Sequence, residues 1–302
     1  MTTRIEVAQE PFTGLDFLKL CCTRLKTAPF LILQFTPLLA FWTGLTTGDI
    51  VFGVLMYCFI IFMITAGYHR YFAHGTYTTS RGFQFFLALG GSLATQKGAL
   101  WWAAHHRNHH KFSDKKYENG DEDSHSSERG FLWSHFGWIL SEKSDRTKDE
   151  NIPDLMIYPE LVWLNKHYLM PTVTFGAFLL LVFGPSTLVA YLIAVVLGMH
   201  GTFTINSLSH YWGWQTYYTN DESRNNPLLA LITFGEGWHN NHHAFQKSPS
   251  QGLEWWQLDI SYLGLLVLDL FGLVEGVTQK IPTLDKKRAK REKFLRMKEG
   301  AT

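Results

Sequence analysis

The chain has 302 residues, carries 27 Lys and Arg against 26 Asp and Glu for a net charge of +1, and gathers its 46% hydrophobic residues into a few uncharged runs. Balanced charge gives no nucleic-acid footprint. Three cysteines, Cys21, Cys22 and Cys58, without CxxC spacing offer neither a disulfide framework nor a thiolate metal site, and the apolar runs exclude an ordinary soluble domain.

Residues 1–12 lack the apolar core of a signal peptide, so the first span is expected to insert uncleaved. Runs 29–45 and 50–68 contain no Lys or Arg, approach the ~20 residues that cross a bilayer, and are separated by the turn Thr46 to Asp49. They predict a transmembrane hairpin. A polar, aromatic and charged segment follows over 69–167, the first half of an expected cap outside the bilayer. Within it, 83–95 is apolar but too short to span and is expected to be re-entrant or interfacial. Asn119-Gly120-Asp121-Glu122-Asp123 reads as an exposed acidic loop. Runs 168–183 and 186–205 predict a second hairpin around Gly184-Pro185, and 206–257 completes the cap. Residues 258–302 are expected to form an interfacial helix followed by a basic tail. No Lys or Arg lies in either interhelical turn, which places both termini and the cap in the cytoplasm by the positive-inside rule. The fold class is therefore an all-α, multi-pass integral membrane protein: four transmembrane helices and a cytoplasmic helical cap, one domain over 1–302.

Fourteen histidines are present, and four fall within residues 105–110. On a helix His106, His109 and His110 share one face at i, i+3 and i+4. The same spacing returns at His239, His242 and His243. His69 and His74 end the second apolar run, and Asn206 and His210 follow the fourth. Nine imidazoles and a carboxamide exceed what one metal needs. Imidazole suits zinc, copper, iron and nickel, and a single catalytic zinc takes three protein ligands, so two adjacent ions are expected. Glu236 with His239 and Glu122 with His125 have the Glu-x-x-His spacing of soluble carboxylate bundles. The first pair sits between glycines and the second in a turn-rich loop, which fits a mostly histidine site better.

The motifs His69-Arg70-Tyr71-Phe72-Ala73-His74, His106-Arg107-Asn108-His109-His110, Asn206-Ser207-Leu208-Ser209-His210 and Gly235-Glu236-Gly237-Trp238-His239-Asn240-Asn241-His242-His243 occur in that order. With them the chain resembles the membrane-bound fatty acyl desaturases of the stearoyl-CoA desaturase type, from about Ala66 to Trp255. The resemblance implies two iron ions held by the nine boxed histidines, with Asn206 acting through a water. It also implies O2 as co-substrate and a cis double bond introduced at Δ9. Glu236, Asp114 and Asn241 are candidates to orient the imidazoles. His105, His125, His135, His167 and His200 are read as surface, packing or substrate-contacting residues. Trp101, Trp102, Trp138, Trp212 and Trp214 can line an acyl tunnel or belong to interfacial aromatic belts. Tyr57 beside Gly53 can close that tunnel, or simply pack or face lipid. Thus Tyr57, Trp102, His125, Trp138 and Trp212 form the candidate substrate set.

There is no GxGxxG, no His-Pro-Gly-Gly and no cysteine cluster, so two electrons are expected from a separate ferredoxin or small haem carrier with its reductase. The animal acyl-CoA enzymes have Arg-Asp before the second box, where this chain has Ala104-His105. Together with the acidic Asp121, Glu122 and Asp123 this weakens the case for coenzyme A. Acyl-CoA is still favoured here over a lipid-linked chain. Two alternatives stand beside this reading: a histidine-box fatty acid or alkane hydroxylase, and a non-catalytic membrane metal-binding or transport protein. Transport should place ionisable groups through the spans, whereas only His200 lies inside one.

Overall fold

The structure is a computed structural model that describes residues 11–114 and 123–299. Helix α1 (Gly14–Thr23) begins in a capping box, with Thr13 Oγ1 accepting from Asp16 N at 3.2 Å and Asp16 accepting from Thr13 N at 3.0 Å. The first apolar run departs from the continuous span expected of it. It divides into α2 (Ala28–Phe35), a 3₁₀ turn over Thr36–Leu39 and α3 (Ala40–Thr43), because Pro37 cannot supply the N–H that would carry the α-helical ladder through. Phe41 and Trp42 at its far end are almost fully exposed, as on a lipid-facing surface.

Helix α4 (Thr47–Phe62) starts in a second capping box, Thr46 with Asp49, and passes without a break into a π-helix over Met63–Ala73. Helix α5 (Arg81–Ser92), capped by Ser80, lays its glycine face on this π segment, where a Cβ at Gly91 would meet the Tyr68 ring. The second histidine box lies on α6 (Ala99–Phe112), followed by the short α7 (Phe131–His135). Helices α8 (Pro159–Lys166) and α9 (Leu169–Phe183) meet at a 65° bend. Helix α10 (Pro185–Asn206), entered through Gly184 at φ +91°, runs on into α11 (Leu208–Tyr211). Helix α12 (Pro227–Ile232), capped by Asn226, precedes α13 (His239–Ala244) with the third box. Helices α14 (Ile260–Leu270) and α15 (Leu284–Glu299) end the described chain. One β pair, Thr78–Thr79 with Val274–Glu275, ties the turn after the π-helix to the chain beyond α14.

Thr47–Ala73 and Pro185–Tyr211, 27 residues each, are long and apolar enough to cross a membrane, and α8 with α9 makes a third, bent candidate. Among the described residues two to three helices thus meet that length and composition, and Ala28–Thr43, the first of the four expected spans, is shorter. The two long helices run side by side in the same direction. Thr187 donates to Asp49 at 2.6 Å near their starts, and small residues let them close up further along, with an added Cβ at Gly53 lying 3.3 Å from Ala190 O and one at Gly198 3.1 Å from Ile60. Parallel packing brings His69 and His210, at their C-terminal ends, into one layer. The basic tail also departs from expectation: α15 is docked on the chain near the third box, Lys287 donating to Leu253 O at 2.6 Å and Lys290 to Ala244 O.

Candidate metal centre

The backbone explains the unusual spacing of the first box. In a π-helix each N–H reaches the carbonyl five residues back. His74 N donates to His69 O at 3.1 Å, which stacks two residues five apart. The α-helical boxes need the i, i+3, i+4 spacing instead, and α6 and α13 supply it. Between Phe234 (φ +55°) and Gly237 the chain turns sharply. Gly235 sits at φ +117°, and a Cβ there would lie 2.4 Å from Asp259 Oδ1; only glycine allows that approach.

These elements converge the nine boxed histidines into two groups. His69, His74, His106, His110 and His242 form one; His109, His210, His239 and His243 form the other, and within each the facing ring nitrogens lie within 4.8 Å of one another. In the first group His74 and His106 Nε2 are 2.9 Å apart, and His110 and His242 Nε2 also 2.9 Å; in the second, His210 and His239 Nε2 are 3.2 Å apart. Four carboxylates accept from the outward-facing nitrogens: Glu236 from His69 Nδ1, Asp123 from His109 Nδ1 at 3.0 Å, Asp114 from His210 Nδ1 at 2.6 Å and Asp221 from His243 Nδ1 at 2.7 Å. Three of the four thus back the smaller group, making its imidazoles the more basic donors.

Burial, reinforced by neighbouring imidazoles, holds His74, His106, His110, His239 and His242 well below the ordinary histidine range, so they are neutral donors. Burial alone would raise Asp114, Asp123, Asp221 and Glu236, but the imidazoles against them override it and hold all four below the usual carboxylate range. The residues fit metal ions. His243 is the sharpest case: Asp221 fixes the proton on Nδ1, while Nε2 is buried, faces the group and has no hydrogen-bond partner among the described residues. A cation would supply the missing partner.

A narrow cavity of about 60 Å³ abuts the first group, lined by Trp102, His106, His125, Trp138, Thr202 and Asn206 among others. Phe30, Thr95, Lys97, Trp101, Ile139 and Met199 line both it and an outer chamber of about 470 Å³. Arg24, Lys26, Asp145, Tyr168 and Leu169 also line that outer chamber. Lys97 is mostly buried there, donates to Ser144 O at 2.9 Å, and is pulled down by burial to a pKa of about 8 despite Asp145.

A profile of the fatty acid desaturase family matches residues 40–262. The chain is 37% identical over 216 residues to the sn-1 stearoyl-lipid 9-desaturase of Anabaena variabilis, covering 71% of this chain and 78% of that protein. It is 40% identical over 232 residues to the Delta-9 acyl-lipid desaturase 1 of Arabidopsis thaliana, covering 74% and 73%, and 36% identical over 249 residues to the icosanoyl-CoA 5-desaturase of Limnanthes douglasii, covering 81% and 66%. The chain belongs to the fatty acid desaturase family. It is an oxidoreductase that introduces a double bond into a fatty acyl chain.

In this desaturase Trp102, His125 and Trp138 line the inner cavity, and Trp102 stacks on His106 at 4.8 Å. Asn206 lines it too. Tyr57 and Trp212 line neither chamber. Tyr57 donates to Ile232 O at 2.6 Å beside Gly201, and Trp212 is half exposed; the cavity runs along α2 and α10 rather than down α4. His125 is buried against His109, ring centres 4.1 Å apart, with neither ring nitrogen hydrogen-bonded among the described residues and Nδ1 3.9 Å from Asp123 Oδ1. His135 and His200 share a 3.0 Å contact, His200 continues to Gln34, and His105 donates to Arg146 O at 3.1 Å. Asn241 holds Asn225, Gln251 and Gln257 rather than an imidazole. Asp123 is buried, contrary to its reading as part of an exposed loop, while Asp121 and Glu122 lie outside the described residues. Sequence reading missed Asp221 entirely, since nothing in its spacing connects it with His243. Gln251, which donates to Glu236 at 2.8 Å, was missed for the same reason.

Proposed function

We propose that this desaturase introduces a cis double bond at position 9 of a saturated acyl chain carried on a membrane lipid. The observation that carries the reading is two groups of buried imidazoles, backed by four carboxylates, beside a cavity that leads past Phe30 and Leu169 to a cationic mouth. Two irons are assigned to the groups of His69 and His109 respectively, with Asn206 holding a water. Such ions supply the one-electron and O2 chemistry that breaking an unactivated C–H bond requires.

The chain's own residues do the rest. Asp114, Asp123, Asp221 and Glu236 hold the imidazoles in one tautomer and orientation. Trp102, Trp138 and Phe203 give the acyl chain an apolar path and exclude water from the reacting carbons. A rigid cavity wall at a fixed distance from the metal sets which carbons react. The lipid carrier replaces the acyl-CoA favoured from sequence. Arg24, Lys26 and Lys97 against Asp145 leave a charge of two at the mouth, which matches one phosphodiester better than the several phosphates of coenzyme A. Two of the relatives are named for acyl lipids. The topology assigned is four passes, the broken first run Ala28–Thr43 counted as a short span beside the two long helices and the bent pair, which puts both termini and the metal centre in the cytoplasm, and the two electrons come from a separate carrier protein.

Expression in a host that makes no unsaturated fatty acids tests the reaction. A Δ9 cis-monoene in the membrane lipids is the expected product, and a hydroxylated chain without unsaturation would move the assignment to a hydroxylase.

A further inference from the structure

A second cavity, of about 290 Å³, reaches the metal centre from elsewhere and shares no lining residue with the acyl chambers. Its walls include His110 from the larger imidazole group and His243 with its Asp221 from the smaller, and its rim is Lys290 and Lys293 of α15. The helix is fixed there: Lys290 donates to Ala244 O and lies 4.9 Å from the Phe245 ring, and Lys293 lies 4.8 Å from the Tyr218 ring. Eight of the sixteen positions in α15 are Lys or Arg against three acidic residues, a net charge of +5, and none of its side chains is buried. Among the described residues only Lys287 and Arg296 of these cations lie within ion-pair distance of a carboxylate.

We propose that α15 and this cavity form the docking surface of an acidic electron-carrier protein. The inference rests on the reading that electrons come from a separate protein. The acyl cavity is filled during turnover, so electrons need another approach, and here the surface meets a ligand of each group directly. Uncompensated positive charge steers an acidic partner. The alternative, an anionic bilayer, is disfavoured because a surface-lying helix buries an apolar stripe, and the apolar residues of α15, Leu284, Ala289, Phe294, Leu295 and Met297, are few and spread around the helix. Lysines held by backbone carbonyls and rings also fix the helix against the protein.

The test uses the full-length enzyme with bound iron in neutral phosphatidylcholine vesicles, with a plant-type ferredoxin and a cytochrome b5 as the acidic probes. Arg288→Glu/Arg291→Glu and Lys290→Glu/Lys293→Glu are made separately, because the second pair also anchors the helix. Each pair should raise Kd and KM for the carrier about tenfold or more and flatten their salt dependence, with iron content and KM for the acyl substrate unchanged. Product formed with wild-type Kd and KM for both carriers in both variants would overturn the docking surface. Loss of binding to phosphatidylglycerol vesicles with unchanged carrier affinity would assign α15 to the membrane and likewise overturn it. Carrier binding is measured without turnover, so wild-type enzyme that captures carrier yet forms no unsaturated product refutes the acyl reading alone.

Discussion

Asp221 shows how much of the candidate metal centre lies beyond the histidines themselves. Its carboxylate accepts from His243 Nδ1 at 2.7 Å and from Ser223 N at 3.1 Å, so the ring is held with Nε2 toward the group. Asp221→Asn keeps the shape but presents an amide that can donate where only an acceptor serves. Iron affinity or turnover should fall by about 10- to 100-fold, the usual loss when such a partner is removed. Iron content after dialysis, measured beside product formation, checks this, and wild-type values for both would show that Asp221 does not orient His243. Lys97 acts where the inner cavity meets the outer chamber. Burial lowers its pKa to about 8, so it is a cation below that pH and neutral above it. KM for an anionic lipid substrate should therefore rise as pH passes through about 8. Lys97→Met should have the higher KM already at pH 7 and lose the pH dependence. Stability moves the opposite way: between about 8 and the ~10.4 of an unfolded lysine only the unfolded chain holds the proton, so stability contributed by this group rises with pH in that window.

At the scale of elements, the backbone departs from regular geometry where the histidines need it. The π-helix brings His69 over His74, and the turn before α13 brings Glu236 onto His69. Arg70 is fully buried beneath that turn, 3.0 Å from both Glu236 and Asp259, while Asp259 also caps α14 through Tyr262 N. Gly235 is packed into this cluster. Gly235→Ala forces an L side chain to φ +117° and into Asp259, which should cost about 1–3 kcal/mol in strain and displace Glu236. A lower unfolding midpoint with reduced product is expected, although residue 235 touches no substrate. Gly82→Ala, whose Cβ would meet nothing within 4 Å, should leave both unchanged or slightly raise stability, as expected of alanine in a helix. Equal behaviour of the two variants in melting and product assays would dismiss the packing argument.

For the whole molecule, the proposed reading of the cavity as the acyl site, with its cationic mouth beside the apolar helices, puts substrate entry next to the bilayer. Stearoyl phospholipid in vesicles should be desaturated several-fold faster than stearoyl-CoA at equal acyl concentration, in side-by-side assays with the same carrier. Exclusive use of stearoyl-CoA would return the choice to the carrier first favoured from sequence.

The sequence by itself determined the membrane class, the family and the nine histidines, because hydropathy and the i, i+3, i+4 and i+5 spacings are local properties of short stretches. The tertiary structure decided what joins distant stretches. It paired Asp221 with His243 and Asp123 with His109, divided the histidines into five and four, removed Tyr57 and Trp212 from the cavity, and folded the basic tail onto the third box. The physical reason is that a carboxylate next to a metal group leaves no periodic trace in its own neighbourhood. Asp123 reads as one more acid in an exposed loop until packing puts it, fully buried, against His109. The direction of the cavity was hidden for the same reason, since it follows the contact of α2 with α10, more than 150 residues apart in sequence but joined through Gln34 and His200.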